Sequence, residues 1–149
     1  MSVSQESVTQ VLIAEDDDDD YYIFSVAIAE TSFRVMLSRA EDGETLLKIL
    51  EDNTPDILFL DLLMPCKDGK ECLREIRASR KYDNMPVIIY SSLSDLTTID
   101  YCFREGSNLY AVKPNSIFQL KTILERILTI NWRKTLYFPQ RSAFVLQAV

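Results

Sequence analysis

The strongest constraint on the fold is a regular alternation of short apolar segments with amphipathic ones. Each apolar segment has the length of a buried strand, and "PDILFLD" is apolar on both faces, as a central parallel strand is. The segments between them space their apolar residues as helices do. The predicted strands are 11–14, 34–40, 55–61, 85–92 and 109–112, and the predicted helices are 21–30, 41–52, 68–79, 96–106 and 116–132.

Five consecutive βα units predict an α/β fold with a doubly wound, five-stranded parallel sheet. Right-handed crossovers place helices on both faces of such a sheet, and ligands bind at the carboxyl ends of its strands. We expect one domain over residues 1–132. The C-terminal extension, residues 133–149, lies outside the five units and is expected to pack on this domain, or on a partner as a docking or dimer arm.

The composition excludes several classes of function. The chain has 149 residues and a net charge of −7, without a basic stripe, so we expect no direct contact with nucleic acid. It has no histidine, which removes nucleophile–histidine catalysis and most zinc sites. No apolar run is long enough to cross a membrane, and the first ten residues lack the apolar centre of a signal peptide. We therefore expect a cytoplasmic protein.

Polar side chains follow four of the predicted strands, at the edge where ligands bind in such sheets. Glu15 and Asp16 follow the first strand, Asp61 ends the third, Ser91 lies near the end of the fourth, and Lys113 follows the fifth. Three neighbouring carboxylates repel one another, and a hard divalent cation such as Mg²⁺ removes that conflict. The hydroxyl and the ammonium suit the oxygens of a phosphoryl group, for which a carboxylate can be the acceptor. The sequence therefore predicts a phosphoryl site with Mg²⁺ at this edge.

Four motifs occur in order at these positions: "AEDD", "LFLDLLMPCKDG", "PVIIYSS" and "YAVKP". Over residues 10–131 the chain thereby resembles the receiver domain of two-component response regulators, and in particular the stand-alone, CheY-like receivers. The resemblance implies a flavodoxin-like (βα)5 fold with strand order 2-1-3-4-5. It also implies a phosphorylation-dependent signalling switch. Such a protein promotes its own phosphorylation and slow dephosphorylation with Mg²⁺, and is otherwise not an enzyme.

The resemblance assigns a role to each matching residue. The implied roles are phosphoacceptor for Asp61, Mg²⁺ ligands for Glu15, Asp16, Asp61 and the backbone carbonyl of Leu63, phosphoryl contacts for Ser91 and Lys113, a cis-linked Pro114, and an aromatic switch for Tyr110. On phosphorylation, Ser91 and the loop after it would move inward and Tyr110 would follow. The surface of the fourth helix, fifth strand and fifth helix would then change.

The resemblance also implies the partners. Because the chain lacks histidine, the phosphoryl group must come from outside, from a sensor histidine kinase or a histidine phosphotransfer protein. Output is expected through contact with a downstream protein, since the residues outside the five units are too few for an output domain. A homodimer through the C-terminal extension is the remaining expectation.

Several alternatives stay open at the level of single residues. Ser92 could take the place of Ser91, and Tyr110 could be a fixed core or interface aromatic. The acids from Asp17 to Asp20 are interpreted as solvated residues at a helix N-terminus, where the helix dipole favours negative charge.

Leu63 and Leu93, two positions after Asp61 and Ser91, are expected to hinder an attacking water and so to slow dephosphorylation.

Two other functions compete with the phosphorylated switch. One is a receiver-like interaction module that is never phosphorylated, which the intact set of polar residues disfavours. The other is a metal-dependent hydrolase related to phosphatases. Such enzymes need a second acid two residues after the nucleophile, where this chain has Leu63.

Overall fold

All five predicted βα units are present in the computed structural model, which describes residues 7–134 and 136–148. The sheet is parallel throughout, and one α-helix follows each of its first five strands along the chain. The elements are β1 Thr9–Ala14, α1 Asp18–Ala29, β2 Val35–Ala40, α2 Gly43–Asp52, β3 Ile57–Leu60, α3 Gly69–Ala78, β4 Val87–Ser91, α4 Leu96–Arg104, β5 Leu109–Val112, α5 Ile117–Thr129 and β6 Val145–Leu146. The expected α/β flavodoxin-like fold is confirmed.

The sheet has six strands in the order β2-β1-β3-β4-β5-β6, so the prediction of five strands was wrong at one edge. The sixth strand lies in the C-terminal extension and pairs with β5, with Tyr110 opposite Val145 and Ala111 opposite Leu146. A two-residue strand is too short to show an apolar alternation in the sequence. It forms because it gives hydrogen-bond partners to the backbone of β5, which would otherwise be an open edge.

Two apolar layers cover the two faces of the sheet. Alternate residues of β1 point to opposite faces, so Leu12 joins the layer formed with α2, α3 and α4, and Ile13 joins the layer formed with α1 and α5. In the second layer, the ring of Phe24 on α1 meets that of Phe59 on β3 edge-to-face at 5.0 Å. Helices on both faces are what the alternation of segments predicted. They leave the carboxyl ends of the strands as one accessible edge.

The α-helices begin at polar caps that the sequence provides. At each N-cap, a side-chain oxygen accepts a hydrogen bond from an amide of the first turn, which leaves fewer donors unpaired there. The five N-cap residues are Asp17, Asp42, Asp68, Asp95 and Ser116. The first helix therefore begins at Asp18, earlier than the predicted residue 21. The loop after α4 turns at Gly106, whose φ of 95° is a left-handed conformation that glycine adopts readily after a helix. Over the described ranges, every helix falls short of the length and apolarity that a membrane crossing demands.

Candidate functional site

The backbone brings the predicted polar residues to one edge of the sheet. The last residue of β1, Ala14, lies opposite Leu60 of β3, so Glu15 and Asp61 leave neighbouring strands at the same level. Ser91 of β4 lies opposite Val112, and the amide of Lys113 donates to the Ser91 carbonyl at 2.9 Å. The register of the parallel strands therefore brings these polar residues together, as the sequence predicted.

Three carboxylates form the acidic part of the site. Glu15, Asp16 and Asp61 each offer one oxygen, and these oxygens lie within 4.8 Å of one another. Glu15 is fully buried, Asp61 is 4% exposed and Asp16 is open to solvent. Such a cluster of hard oxygen donors, open on one side, is compatible with a divalent metal ion.

Lys113 is the cation of the site and contacts three carboxylates. Its Nζ lies 2.8 Å from Glu15 Oε1, 2.8 Å from Asp20 Oδ2 and 3.1 Å from Asp61 Oδ2. The contact with Asp20 was missed, because Asp20 was interpreted as a solvated acid of the helix N-terminus. Asp20 lies three residues after the N-cap Asp17 and so shares its side of the helix. That spacing alone does not distinguish which of the consecutive acids turns toward Lys113.

Burial and charge shift the pKa values of Glu15 and Lys113. Removal from water raises the pKa of Glu15 to about 7, against the opposing effect of Lys113. Burial alone would lower the pKa of Lys113, but the nearby carboxylates of Asp20, Glu15 and Asp61 together outweigh that effect and raise it. The site therefore holds a permanent ammonium beside a carboxyl group that binds a proton readily near neutral pH.

The arrangement around Glu15 also fits a cation. Its Oε1 is fully buried and receives no well-directed hydrogen bond from the described residues, although the Lys113 ammonium is close enough for an ion pair. Its Oε2 accepts the amide of Asp17 at 3.2 Å. A buried carboxylate oxygen without a directed donor is a position where a metal ion, or a water held by one, would supply the missing interaction.

Ser91 and Tyr110 lie next to each other in the second part of the site. Ser91 is fully buried and its Oγ accepts the amide of Leu93 at 3.2 Å, whereas the alternative, Ser92, is exposed. Tyr110 is fully buried, and its hydroxyl donates to the Leu93 carbonyl at 2.7 Å. The tyrosine is thus already turned inward, and both side chains hold the loop that follows β4.

The two predicted leucines line one groove beside the carboxylates. Leu63 is 55% exposed and Leu93 is half-buried, and both border the groove together with Asp16 and Met64. The amide of Leu63 donates to Asp61 Oδ1 at 3.3 Å. The role predicted for the Leu63 carbonyl as a metal ligand stays a prediction.

Gly69, which the sequence analysis did not single out, lets the chain pack closely against the backbone of Asp61. A Cβ on Gly69, the first residue of α3, would lie 2.2 Å from the carbonyl oxygen of Asp61. The amide of Gly69 donates to the carbonyl of Leu62 at 3.0 Å. Only glycine allows α3 to begin this close to the residue that carries the carboxylate.

The prediction of a cis-linked Pro114 was wrong. The peptide bond between Lys113 and Pro114 is trans. The trans isomer is the one that an X–Pro bond favours by about 0.5–1 kcal/mol unless its surroundings select the other.

Comparisons with known proteins identify the family. The family model of the response regulator receiver domain matches residues 11–125, so the chain belongs to that family. Among curated proteins, Regulatory protein AtoC of Escherichia coli (strain K12) is 29% identical over 128 residues, which cover 86% of this chain and 27% of AtoC. The chain thus spans about a quarter of that relative's length.

Solved structures of similar size resemble the whole fold. The phosphorylated cyanobacterial phytochrome response regulator RcpA matches with a TM-score of 0.78 and 25% identity, covering 90% of this chain and all of that one. The response regulator RPA3017, in red light signaling of R. palustris, matches with a TM-score of 0.77 and 28% identity, covering 89% of this chain and 99% of that one. Receiver domains of this family are parts of two-component systems, which signal by phosphorylation.

Proposed function

We propose that this receiver domain accepts a phosphoryl group on Asp61 and acts as a signalling switch whose output is contact with another protein. The observation that carries the proposal is the ion pair of Lys113 with Asp61 inside the carboxylate cluster. A lone carboxylate at a strand end would have no need of a partly buried ammonium. A carboxylate that must receive an anionic group does need one.

The transfer balances with the residues present. The donor is a phosphohistidine of a partner protein, since this chain has no histidine. A bond forms between a carboxylate oxygen of Asp61 and phosphorus while the bond from phosphorus to the imidazole nitrogen breaks, and that nitrogen keeps the electron pair. Lys113 and the Ser91 hydroxyl receive the phosphoryl oxygens. Glu15, Asp16 and Asp61 would hold Mg²⁺, which supplies charge neutralisation for the transferring group.

The switch follows from the contacts of Ser91. When its hydroxyl turns to the phosphoryl group, its bond with the Leu93 amide is lost and the loop after β4 rearranges. The rearrangement also affects Tyr110, because its hydroxyl donates to the Leu93 carbonyl. The surface of α4, β5 and α5 is the region whose shape this rearrangement changes, and we place the contact with a downstream protein there. The single-domain organisation and the homodimer stay predictions.

Phosphorylation by a small donor tests the proposal directly. The protein is incubated with acetyl phosphate and Mg²⁺ and weighed intact; we expect one phosphoryl group per chain. Asp61→Asn should abolish the adduct, and chelation of the metal should suppress it in the wild type. The matched control is Asp52→Asn, at an exposed position on α2, which should be phosphorylated normally. A wild-type chain that gains no mass would instead indicate an unphosphorylated interaction module, and donor turnover without an adduct a hydrolase.

The apolar pair beside the site is expected to prolong the life of the phosphoryl group. Leu63→Asn combined with Leu93→Glu should speed loss of the adduct on the order of ten-fold, because polar groups there can orient an attacking water. The measurement is the decay of the adduct by intact mass after removal of the donor. Leu96→Glu, at a position 69% exposed and outside the groove, is the control. An unchanged lifetime in the double variant would contradict this role for the two leucines.

A further inference from the structure

The C-terminal segment docks on the same tyrosine that contacts the loop after β4. The amide of Tyr110 donates to the carbonyl of Phe144 at 3.0 Å, and the two residues that follow Phe144 form β6 against β5. The rings of Tyr110 and Phe144 lie 6.2 Å apart at an angle of 59°. Phe144 is fully buried, and its ring also meets Phe103 of α4 edge-to-face at 5.1 Å.

Two polar contacts hold the rest of the segment in place. Arg141 pairs with Asp100 of α4 through Nε and Oδ1 at 2.8 Å. The buried amide of Asn108, just before β5, donates to the carbonyl of Tyr137 at 2.8 Å. The segment is thus held to α4 and to the residue that precedes β5, with Phe144 as its apolar anchor.

A continuous set of contacts therefore joins this segment to the site. Ser91 holds the amide of Leu93, Leu93 accepts the hydroxyl of Tyr110, and Tyr110 contacts Phe144 through both its ring and its backbone. Tyr110 is the one residue of the set that touches both the loop and the C-terminal segment. Any change of its position must alter both contacts.

We propose that residues 136–148 act as an internal ligand that stabilises the inward position of Tyr110 and so favours phosphorylation of Asp61. The proposal rests on the proposed function, together with the expectation that Tyr110 is turned inward when Asp61 is phosphorylated. A ligand that binds one of two states better shifts the equilibrium toward it, and the coupling is reciprocal. Phosphorylation should accordingly tighten the contact of the C-terminal segment with β5.

Variants of the full chain test the coupling. Phe144→Leu keeps an apolar residue but loses the aromatic contacts with Tyr110 and Phe103, and Phe138→Leu makes the same change at a position of the segment that is 54% exposed. With acetyl phosphate and Mg²⁺, we expect Phe144→Leu to accumulate the adduct more slowly or lose it faster, by about five-fold or more. Phe138→Leu should match the wild type.

A second variant tests the route through the hydroxyl. Tyr110→Phe keeps the ring against Phe144 and removes the bond to Leu93. In a double-mutant cycle, the effect of Phe144→Leu should shrink when Tyr110→Phe is already present. An effect of Phe144→Leu that is fully additive would overturn the proposed route.

Amide hydrogen exchange provides a readout that needs no phosphorylation. Exchange at the Tyr110 amide should be faster in Phe144→Leu than in the wild type, while amides of β1 stay unchanged and so exclude general unfolding. Equal adduct kinetics in wild type and Phe144→Leu would overturn the inference and leave the proposed function intact. A wild-type chain that forms no adduct would refute the proposed function instead, and with it the link to Asp61.

Discussion

Replacing Glu15 by Gln is expected to remove most of the pH dependence of the unfolding free energy between about pH 5 and pH 7.5. The cause is the full burial of Glu15, which with the charge of Asp61 raises its pKa from 4.5 to about 7 against the opposing effect of Lys113. Asp16 and Asp20 belong to the same cluster, and the Arg39 guanidinium donates to the Glu15 carbonyl at 2.9 Å. Gln keeps the size and the hydrogen-bonding capacity of the side chain but cannot ionise.

The sign follows from proton binding in the two states. Between pH 4.5 and about 7 the folded chain keeps the Glu15 proton that the unfolded chain has lost, so raising the pH across this range destabilises the fold. Each pH unit costs about 1.4 kcal/mol, and the whole range roughly 3 kcal/mol. The contribution of Glu15 is therefore most favourable below pH 4.5 and is lost by neutral pH. The chain has no histidine, so few other side chains titrate in this interval.

Urea unfolding at a series of pH values, in buffer with a chelator, measures the effect. The wild type should lose up to roughly 3 kcal/mol as the pH rises, and Glu15→Gln should show a much flatter profile. Glu41→Gln, at an exposed position, should follow the wild type. Addition of Mg²⁺ should stabilise the wild type at pH 7.5 more than at pH 5, because the ion needs the ionised carboxylates. Parallel profiles for wild type and Glu15→Gln would contradict the assignment of the proton to Glu15.

The sequence predicted the elements that place the site, because each has a signal that does not depend on the rest of the fold. Apolar runs followed by acids locate strand ends, and parallel strands must bring those ends to one edge. Glu15, Asp61 and Lys113 could therefore be expected to meet before any coordinates were known. Helix caps were equally local, since an aspartate or serine before a helix binds the amides of its first turn.

The features that were missed depend on rotation or on long-range contact. The distance from Asp20 to Lys113 is set by how α1 is turned against the sheet, and four consecutive acids give no indication of which one points inward. The strand β6 exists because β5 offers a free edge, which is a property of the finished sheet. The isomer of the bond before Pro114 depends in the same way on tertiary surroundings.

The role of Arg77 also depends on long-range contacts, because the pattern of an amphipathic helix does not show which of its arginines binds several distant backbone groups. Its guanidinium donates to four acceptors at 2.8–2.9 Å in the turns before β4 and β5, which are the carbonyls of Gly106, Tyr82 and Met85 and the side-chain oxygen of Asn108. The planar fork of arginine is the one side chain able to reach all of them. It joins the segments that lead into the two strands carrying Ser91 and Tyr110.

Arg77→Met is therefore expected to lower the free energy of unfolding by roughly 3 kcal/mol, since it leaves several acceptors without a donor. Arg74→Met, an exposed position on the same helix, should change it by no more than about 0.5 kcal/mol. Arg77→Lys should recover little, because an ammonium keeps the charge and loses the fork. Urea unfolding measures all three variants. An Arg77→Met variant as stable as Arg74→Met would contradict the stabilising role of the Arg77 hydrogen bonds.

The loss should also reach the C-terminal segment, because Asn108 connects the two. Its side-chain oxygen accepts both Arg77 and the amide of Val87, and its nitrogen donates to the carbonyl of Tyr137. Without Arg77, we expect faster hydrogen exchange at Val87 and Tyr110 than at the amides of β1. Uniform acceleration across the sheet would mean that Arg77 stabilises the fold as a whole. A local increase would mean that it sets how firmly β5 and its C-terminal partner strand are held beside the phosphoacceptor.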